Sequence, residues 1–372
     1  MRTAPLKTVL REWGRIGVIG FGGPPAHIAL LRELVVERRG WIAARDFEDA
    51  NAAAQLLPGP ASTQMAIYCA RRVAGNGGAL AGGLAFIVPG LLLTLVIAAV
   101  ALQDDPPGWV QGVGAGAAAA VVAVVAQAGI QLATASFRER SRGGLARGLV
   151  YALAGAVATV TVGAYVVLVL LACGLIELTV RRSGRAALHA WPVALPLAVT
   201  GAAALPALAW TALKVGGLSY GGGFVIVPLM QGDALAHDWL TQAEFANAVA
   251  YGQLTPGPVT HTIAFVGWGA AGLPGALMAS VIAFAPSFLF VMLGGDHFEA
   301  IRERPGPRAF LDGAGPAAIG AILGAAVLLA TAFQEAWQAA VLAGAAVLLI
   351  LGRSPLLVLV LGAGAGLLST IT

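Results

Sequence analysis

The stretch QLLPGPASTQ, residues 55–64, interrupts an otherwise apolar run from Phe47 to Ala70. Pro58 and Pro60 flank Gly59, and each proline removes a backbone donor and clashes with the preceding helical turn. No regular helix runs through such a segment. QLTPGPVTHT, residues 253–262, breaks a second apolar run in the same manner. The fold must be one whose surroundings tolerate two such breaks.

The surroundings are strongly apolar. Of 372 residues, 58% are hydrophobic and only 11% are charged, with a mean hydropathy of +0.83. Soluble domains are about 25% charged, so the chain reads as an all-α polytopic membrane protein with the lipid bilayer as its first partner. Gly77–Leu102 and Val110–Phe137 carry no charge. Each exceeds the roughly 20 residues needed to cross about 30 Å of hydrocarbon. The net charge of +4 sits mostly in short loops, which is a topology signal and not a nucleic-acid footprint. Cys69 and Cys173 lack any CxxC or Cys/His spacing and read as packing residues. His27 and His261 stand alone, so neither a metal nor another cofactor is expected. The N-terminal MRTAPLKTVLREWGRIG has no long apolar core or cleavage site, so no removed signal peptide is expected.

The chain is duplicated. With the second half set 198 positions behind the first (253 against 55), Trp41 meets Trp239, Phe47 meets Phe245 and Gln55 meets Gln253. Pro58, Gly59 and Pro60 meet Pro256, Gly257 and Pro258, and Phe86 meets Phe284. One residue out of that register, GRIGVIGFGGPP (14–25) lies over LKVGGLSYGGGF (213–224), pairing Arg15 with Lys214 and Gly22-Gly23 with Gly221-Gly222. A glycine break, a Trp loop, a PGP break and a long span follow in the same order twice. Residues 1–185 form the first expected repeat, 186–206 a connecting span or linker, and 207–372 the second.

Loop charges orient the two repeats oppositely. Arg32, Arg38, Arg39 and Arg45 of the first half face Asp233, Asp238 and Glu244 in the second, and Arg71-Arg72 face no base. After the long span the signs exchange. Asp104 and Asp105 stand against Arg302, Arg304 and Arg308, and Arg138, Arg140, Arg142 and Arg147 stand against Glu335. By the positive-inside rule the repeats are expected to be inserted upside down relative to each other, with the N-terminus cytoplasmic. The basic flanks of both early segments also place their two ends on one side. That expects broken or re-entrant helices turning at Gly22-Gly23-Pro24 and at Pro58-Gly59-Pro60, with matching turns in the second half.

Non-helical backbone at membrane depth survives only where protein buries it or water lines it. Inverted repeats with matching broken helices mark secondary transporters, whose site lies between the repeats. A helix restarted after a break offers free N–H groups and a positive dipole end, which suits an anion. The candidate substrate-binding residues are therefore Gly22, Gly23, Gln55, Pro58, Gly59, Pro60, Ser62 and Thr63, with Gly221, Gly222, Gln253, Pro256, Gly257, Pro258 and Thr260. Gln64, His261 and Thr262 stand beside them. Ser, Thr and Gln next to a kink also satisfy freed carbonyls or bond between helices, and that reading stays open. Arg15 and Lys214 are candidate anion-attracting cations; snorkelling to the interface is the alternative. Asp46, Glu48, Asp49 and Glu244 open the segments before the two PGP breaks and read as helix-dipole partners.

At FGGPPAHIA (21–29), QLLPGPASTQ (55–64), YGGGF (220–224) and QLTPGPVTHT (253–262), the chain resembles the chromate ion transporter family in its long two-domain form. Tyr220 stands where the family usually has Phe. The resemblance implies export of chromate from the bacterial cytoplasm across the inner membrane, chromate resistance, and sulfate as a structural analogue. It singles out Phe21 to Pro24, Gln55, Pro58 to Pro60, Gly221 to Gly223, Gln253 and Pro256 to Pro258. No P-loop is present, and the membrane potential supplies about 2.3 kcal/mol per charge per 100 mV. A dianion leaving a cell at about −150 mV gains roughly 7 kcal/mol, with or without a coupled proton. A permease for sulfate or another oxyanion, and an oxyanion channel, are the alternatives. A membrane enzyme is disfavoured because HExxH and GxSxG are absent. A homodimer is compatible with the sequence.

Overall fold

The computed structural model describes residues 4–55, 59–138, 140–182, 204–219, 223–294 and 305–371. Among them every regular element is helical. In chain order these are α1 (Leu6–Ile19), α2 (Gly23–Arg32, continued by a π-helical turn over Glu33–Arg38), α3 (Ala44–Ala54) and α4 (Ala61–Ala101). Next come α5 (Gly108–Phe137), α6 (Arg142–Thr161), α7 (Val166–Arg182), α8 (Ala204–Leu218), α9 (Ile226–Ala236) and α10 (Gln242–Leu254). The series closes with α11 (Thr262–Gly294), α12 (Pro305–Ala330), α13 (Ala336–Ile350) and α14 (Pro355–Leu368). Among the described residues, six helical stretches are long and apolar enough to cross a membrane. The expected connecting span, 186–206, lies almost wholly outside the described residues.

Local chemistry explains where the helices start and stop. Gly22 precedes α2 at φ +98°, a backbone state closed to most side chains, and Pro24 falls in the first turn, where its missing N–H costs nothing. Pro60 caps α4 in the extended region. Thr241 and Glu244 form a reciprocal capping box at the start of α10. At 41 residues α4 is longer than one crossing needs, and it is divided by a kink at Ala74-Gly75. A kink with nearly the same dihedrals divides α11 at Ala271-Gly272.

The early helices of the first half form hairpins with the breaks at their tips. Beyond α2 the chain runs back beside α1: Trp41 stacks on Trp13 with ring centroids 6.3 Å apart, and Arg39 is ion-paired with Glu12. The first limb of α4 returns too, since the Ala4 amide donates to the Val73 carbonyl at 3.3 Å. Trp13 locks the two hairpins together by donating to the Ala66 carbonyl at 2.8 Å. In each half the first helix packs tightly on the long kinked one, α1 on α4 and α8 on α11. Gly17 makes the first contact, against the Ala85 and Phe86 carbonyls, and Gly216 makes the second, against the Ala283 carbonyl.

The later helices interlock across the halves. Helix α5 packs on α13 and α14, and α12 packs on α6 and α7. Small residues allow the backbones to meet. A Cβ on Gly116 would strike the Gly362 carbonyl, one on Gly366 the Gly112 carbonyl, and one on Gly155 the Ala317 carbonyl.

One sequence-based assignment needs correction. Gln231 and Asp233 are not in a loop: α9 extends to Ala236 and buries both. The apolar turn Ile226–Met230 continues through them because Asp233 meets a cation inside the protein and need not reach water. The acidic side of that comparison rests on Asp238, in the turn before α10, and on Glu244 in the first turn of α10.

Candidate functional site

The breaks from the two halves meet. The Gly59 amide donates to the Ser219 carbonyl at 2.7 Å, and the Gly257 amide donates to the Gly20 carbonyl at 2.9 Å. Each bond joins the PGP break of one half to the glycine break of the other. Neither amide could serve this way in a continuous helix, where it would bond four residues back. The glycines are required by conformation, with φ +120° at Gly59 and +88° at Gly257. Gly23 and Gly223 also have positive φ, and a Cβ on either would stand about 3.8 to 3.9 Å from Val259 at the start of the second restart. Of the other predicted site residues, Pro58, Gly221 and Gly222 lie outside the described residues.

The residues after each PGP are deeply buried. Ser62, Thr63 and Gln64 open α4, and Thr260, His261 and Thr262 occupy the matching positions before and at the start of α11. Helix α4 has no side-chain cap, so the first-turn amides of Ala61, Ser62 and Thr63 face the break without a helical acceptor. Thr262 instead turns its hydroxyl onto the Val259 carbonyl at 2.8 Å. Among the described residues, Thr63 Oγ1, Ser219 Oγ, Ser287 Oγ and Gln253 Nε2 are buried without a hydrogen-bonding partner. Such groups are costly in an apolar interior. Gln55 ends α3 exposed, whereas its counterpart Gln253 is half-buried.

The two candidate cations differ. Arg15 is exposed. Lys214 is buried, ion-paired with Asp233, and that carboxylate also accepts from the Thr211 hydroxyl at 2.6 Å. The Lys214 ammonium lies 5.9 Å from the Trp210 ring centroid. Sequence reasoning paired the two cations but missed Asp233, which α9 brings back beside α8. The acids at the start of α3 bond locally, Glu48 with Arg32 at 2.9 Å and Asp46 with Arg72 at 3.5 Å.

Two further polar features lie outside the breaks. A cavity of about 830 Å³ runs between α5, α10 and the segments around Phe333 and Ser369; Glu244, Asn247 and Tyr251 contribute to its wall. Tyr251, two residues before Gln253, donates to the Val110 carbonyl at 2.7 Å. Elsewhere, Glu177 of α7 is 1% exposed and accepts from Arg147 at 3.0 Å and Arg181 at 2.9 Å. Arg181 also reaches Asp312 of α12 at 2.8 Å, closing a charged clasp over α6, α7 and α12.

Broken helices meeting among long apolar helices describe a multi-pass membrane protein. The sequence pattern of the chromate transporter family matches residues 7–178 and 206–367, and the chain belongs to that family. It is 33% identical to the chromate transport protein of Cupriavidus metallidurans over 344 residues, covering 89% of this chain and 84% of the relative. It is 30% identical to the chromate transport protein of Pseudomonas aeruginosa, covering 86% and 80%. With the probable chromate transport protein of Synechococcus elongatus it shares 29% identity over 87% and 84%. No solved structure matches the chain.

Proposed function

We propose that this protein is a secondary transporter that exports chromate from the bacterial cytoplasm across the inner membrane, driven by the membrane potential. One observation carries the reading: the reciprocal bonds Gly59–Ser219 and Gly257–Gly20 gather the breaks from both halves at one place. Broken helices are placed this way where a transporter holds its substrate. The relatives named for chromate transport supply the cargo. The halves, residues 1–185 and 207–372, act as oppositely inserted repeats rocking about the breaks. The loop charges support that inversion, and the matching kinks at Ala74-Gly75 and Ala271-Gly272 support the duplication.

The mechanism uses neutral donors. First-turn amides of α4, the hydroxyls of Ser62, Thr63 and Thr260, and the amides of Gln55 and Gln253 can hydrogen-bond a tetrahedral oxyanion without a permanent countercharge. A dianion so held remains free to leave when the site opens outward. Lys214 is neutralised by Asp233, and its part is to hold α8 against α9. Expression in a chromate-sensitive bacterium lacking its own exporter tests the function. Resistance with lowered cell chromate is the expected result, and the Gln55→Ala and Gln253→Ala variants should lose it while the protein remains in the membrane. Sensitivity and chromate content equal to the empty vector would refute the reading. A rise in sulfate uptake instead would reassign the cargo to sulfate.

A further inference from the structure

The two PGP breaks are not chemically equivalent, although the sequence writes them alike. Around Gly59 the opposite half presents hydroxyls. A Cβ at Gly59 would stand 3.4 Å from Ser287 Oγ of α11, 3.4 Å from the Gly216 carbonyl and 2.5 Å from the Gln64 side-chain nitrogen. Ser219, whose carbonyl accepts from Gly59 at 2.7 Å, is fully buried, as are Ser287 and Thr63. All three hydroxyl oxygens lack a hydrogen-bonding partner among the described residues. The uncapped first turn of α4 starts beside them.

The same neighbourhood in the other half is closed. In the repeat register Gly20 replaces Ser219, Pro89 replaces Ser287 and His261 replaces Thr63. The His261 ring fills the space: a Cβ on Gly257 would come within 3.0 Å of its Cε1, and one on Gly90 within 2.6 Å. Phe284 covers the ring edge-on, with centroids 5.5 Å apart. His27, packed on Phe86 at 5.1 Å, approaches the Gly20 carbonyl at 2.9 Å through Nε2. The first break is lined by unspent hydroxyls drawn from both halves. At the second, among the described residues, the unpartnered groups are Gln253 Nε2 and the two ring nitrogens of His261, whose ring is packed among aromatic side chains.

We propose that Ser219 and Ser287, with Thr63, are the hydroxyl donors of a single tetrahedral-oxyanion subsite at the N-terminus of α4. The second break is its packed counterweight. This inference rests on the oxyanion-transport reading and narrows it to one half-site. Three hydroxyls and the amides of a first helical turn suit the several acceptor oxygens of chromate or sulfate. The donors come from both halves, Thr63 from the first and the serines from the second, so rocking of the halves would assemble and dismantle the subsite.

The test measures chromate and sulfate binding to the purified full-length protein by titration calorimetry, alongside chromate uptake in vesicles. Ser219→Ala and Ser287→Ala each remove an unpartnered hydroxyl, so thermal stability should hold. The dissociation constant for chromate should rise about tenfold or more in each, as expected for a lost hydrogen bond to a charged ligand. Ser280→Ala is the control on α11, because the Ser280 hydroxyl donates to the Ala276 carbonyl at 2.7 Å and is already used. Wild-type affinity in both Ser219→Ala and Ser287→Ala, beside a wild type that binds chromate, would overturn the subsite and leave the transport reading standing. A wild type that binds and carries neither ion would remove the transport reading, and the subsite with it. A changed sodium dependence at unchanged chromate affinity would give the hydroxyls to a cation and equally overturn the proposal.

Discussion

Replacing Gly59 by alanine separates the cost of a strained backbone from the cost of a spoiled site. At φ +120° an alanine is held outside the ordinary left-handed region, a strain of about 1–3 kcal/mol. Its Cβ would also stand 2.5 Å from the Gln64 side-chain nitrogen, so that side chain must swing away. The amide bond to Ser219 would shift with it, which adds about 1 kcal/mol. Gly75 is the matched control. It lies at φ +65°, ψ −160° in the kink of α4, with nothing within 4 Å of an added Cβ, so Gly75→Ala bears a comparable backbone strain of about 1–3 kcal/mol and no contact cost. Thermal unfolding of detergent-purified protein should show both variants destabilised, Gly59→Ala by about 1 kcal/mol more. Chromate uptake into vesicles, scaled to folded protein, should fall at least tenfold for Gly59→Ala and stay within about twofold for Gly75→Ala. Uptake by Gly59→Ala equal to wild type would refute the argument that this break shapes the substrate site.

Three further outcomes follow from the contacts. Asp233→Asn or Lys214→Met alone leaves one partner of a buried ion pair uncompensated and should destabilise by about 3–5 kcal/mol. The double variant should recover part of that loss in the same unfolding assay. Gly116→Leu should abolish monodisperse protein on size exclusion, because its side chain would strike the Gly362 carbonyl. Gly364→Leu, two residues along α14 with open space around it, should be tolerated. Single cysteines placed at Arg45 and at Asp238, both exposed, in a background lacking Cys69 and Cys173, should react with an impermeant maleimide from opposite faces. Labelling from one face would contradict the inverted insertion.

The sequence disclosed the breaks because proline and glycine act locally. Gly22, Gly23, Gly59, Gly223 and Gly257 all take a positive φ that glycine adopts freely, and the long uncharged runs became α4 and α5. The kinks at Ala74-Gly75 and Ala271-Gly272 went unread, since a lone glycine in a helical run often leaves the helix intact. The interlock of α5 with α13 and α14 was hidden for another reason. The spacing Gly112-xxx-Gly116 and Gly362-xxx-Gly366 was visible, but nothing local says that helices so distant in the chain are partners. Asp233 misled through its charge, which read as loop until α9 set it against Lys214. Ser219 and Ser287 carried no motif at all. Only the bonding of Gly59 across the halves gives them a place beside the α4 terminus.

Chromate export driven by the membrane potential is measured as uptake of labelled chromate into inside-out vesicles, with the potential imposed by a potassium gradient and valinomycin. Uptake should be saturable, grow with an inside-positive potential, and fall when unlabelled chromate, more than sulfate, is added. Uptake no greater than in vesicles without the protein, at every potential, would contradict such export.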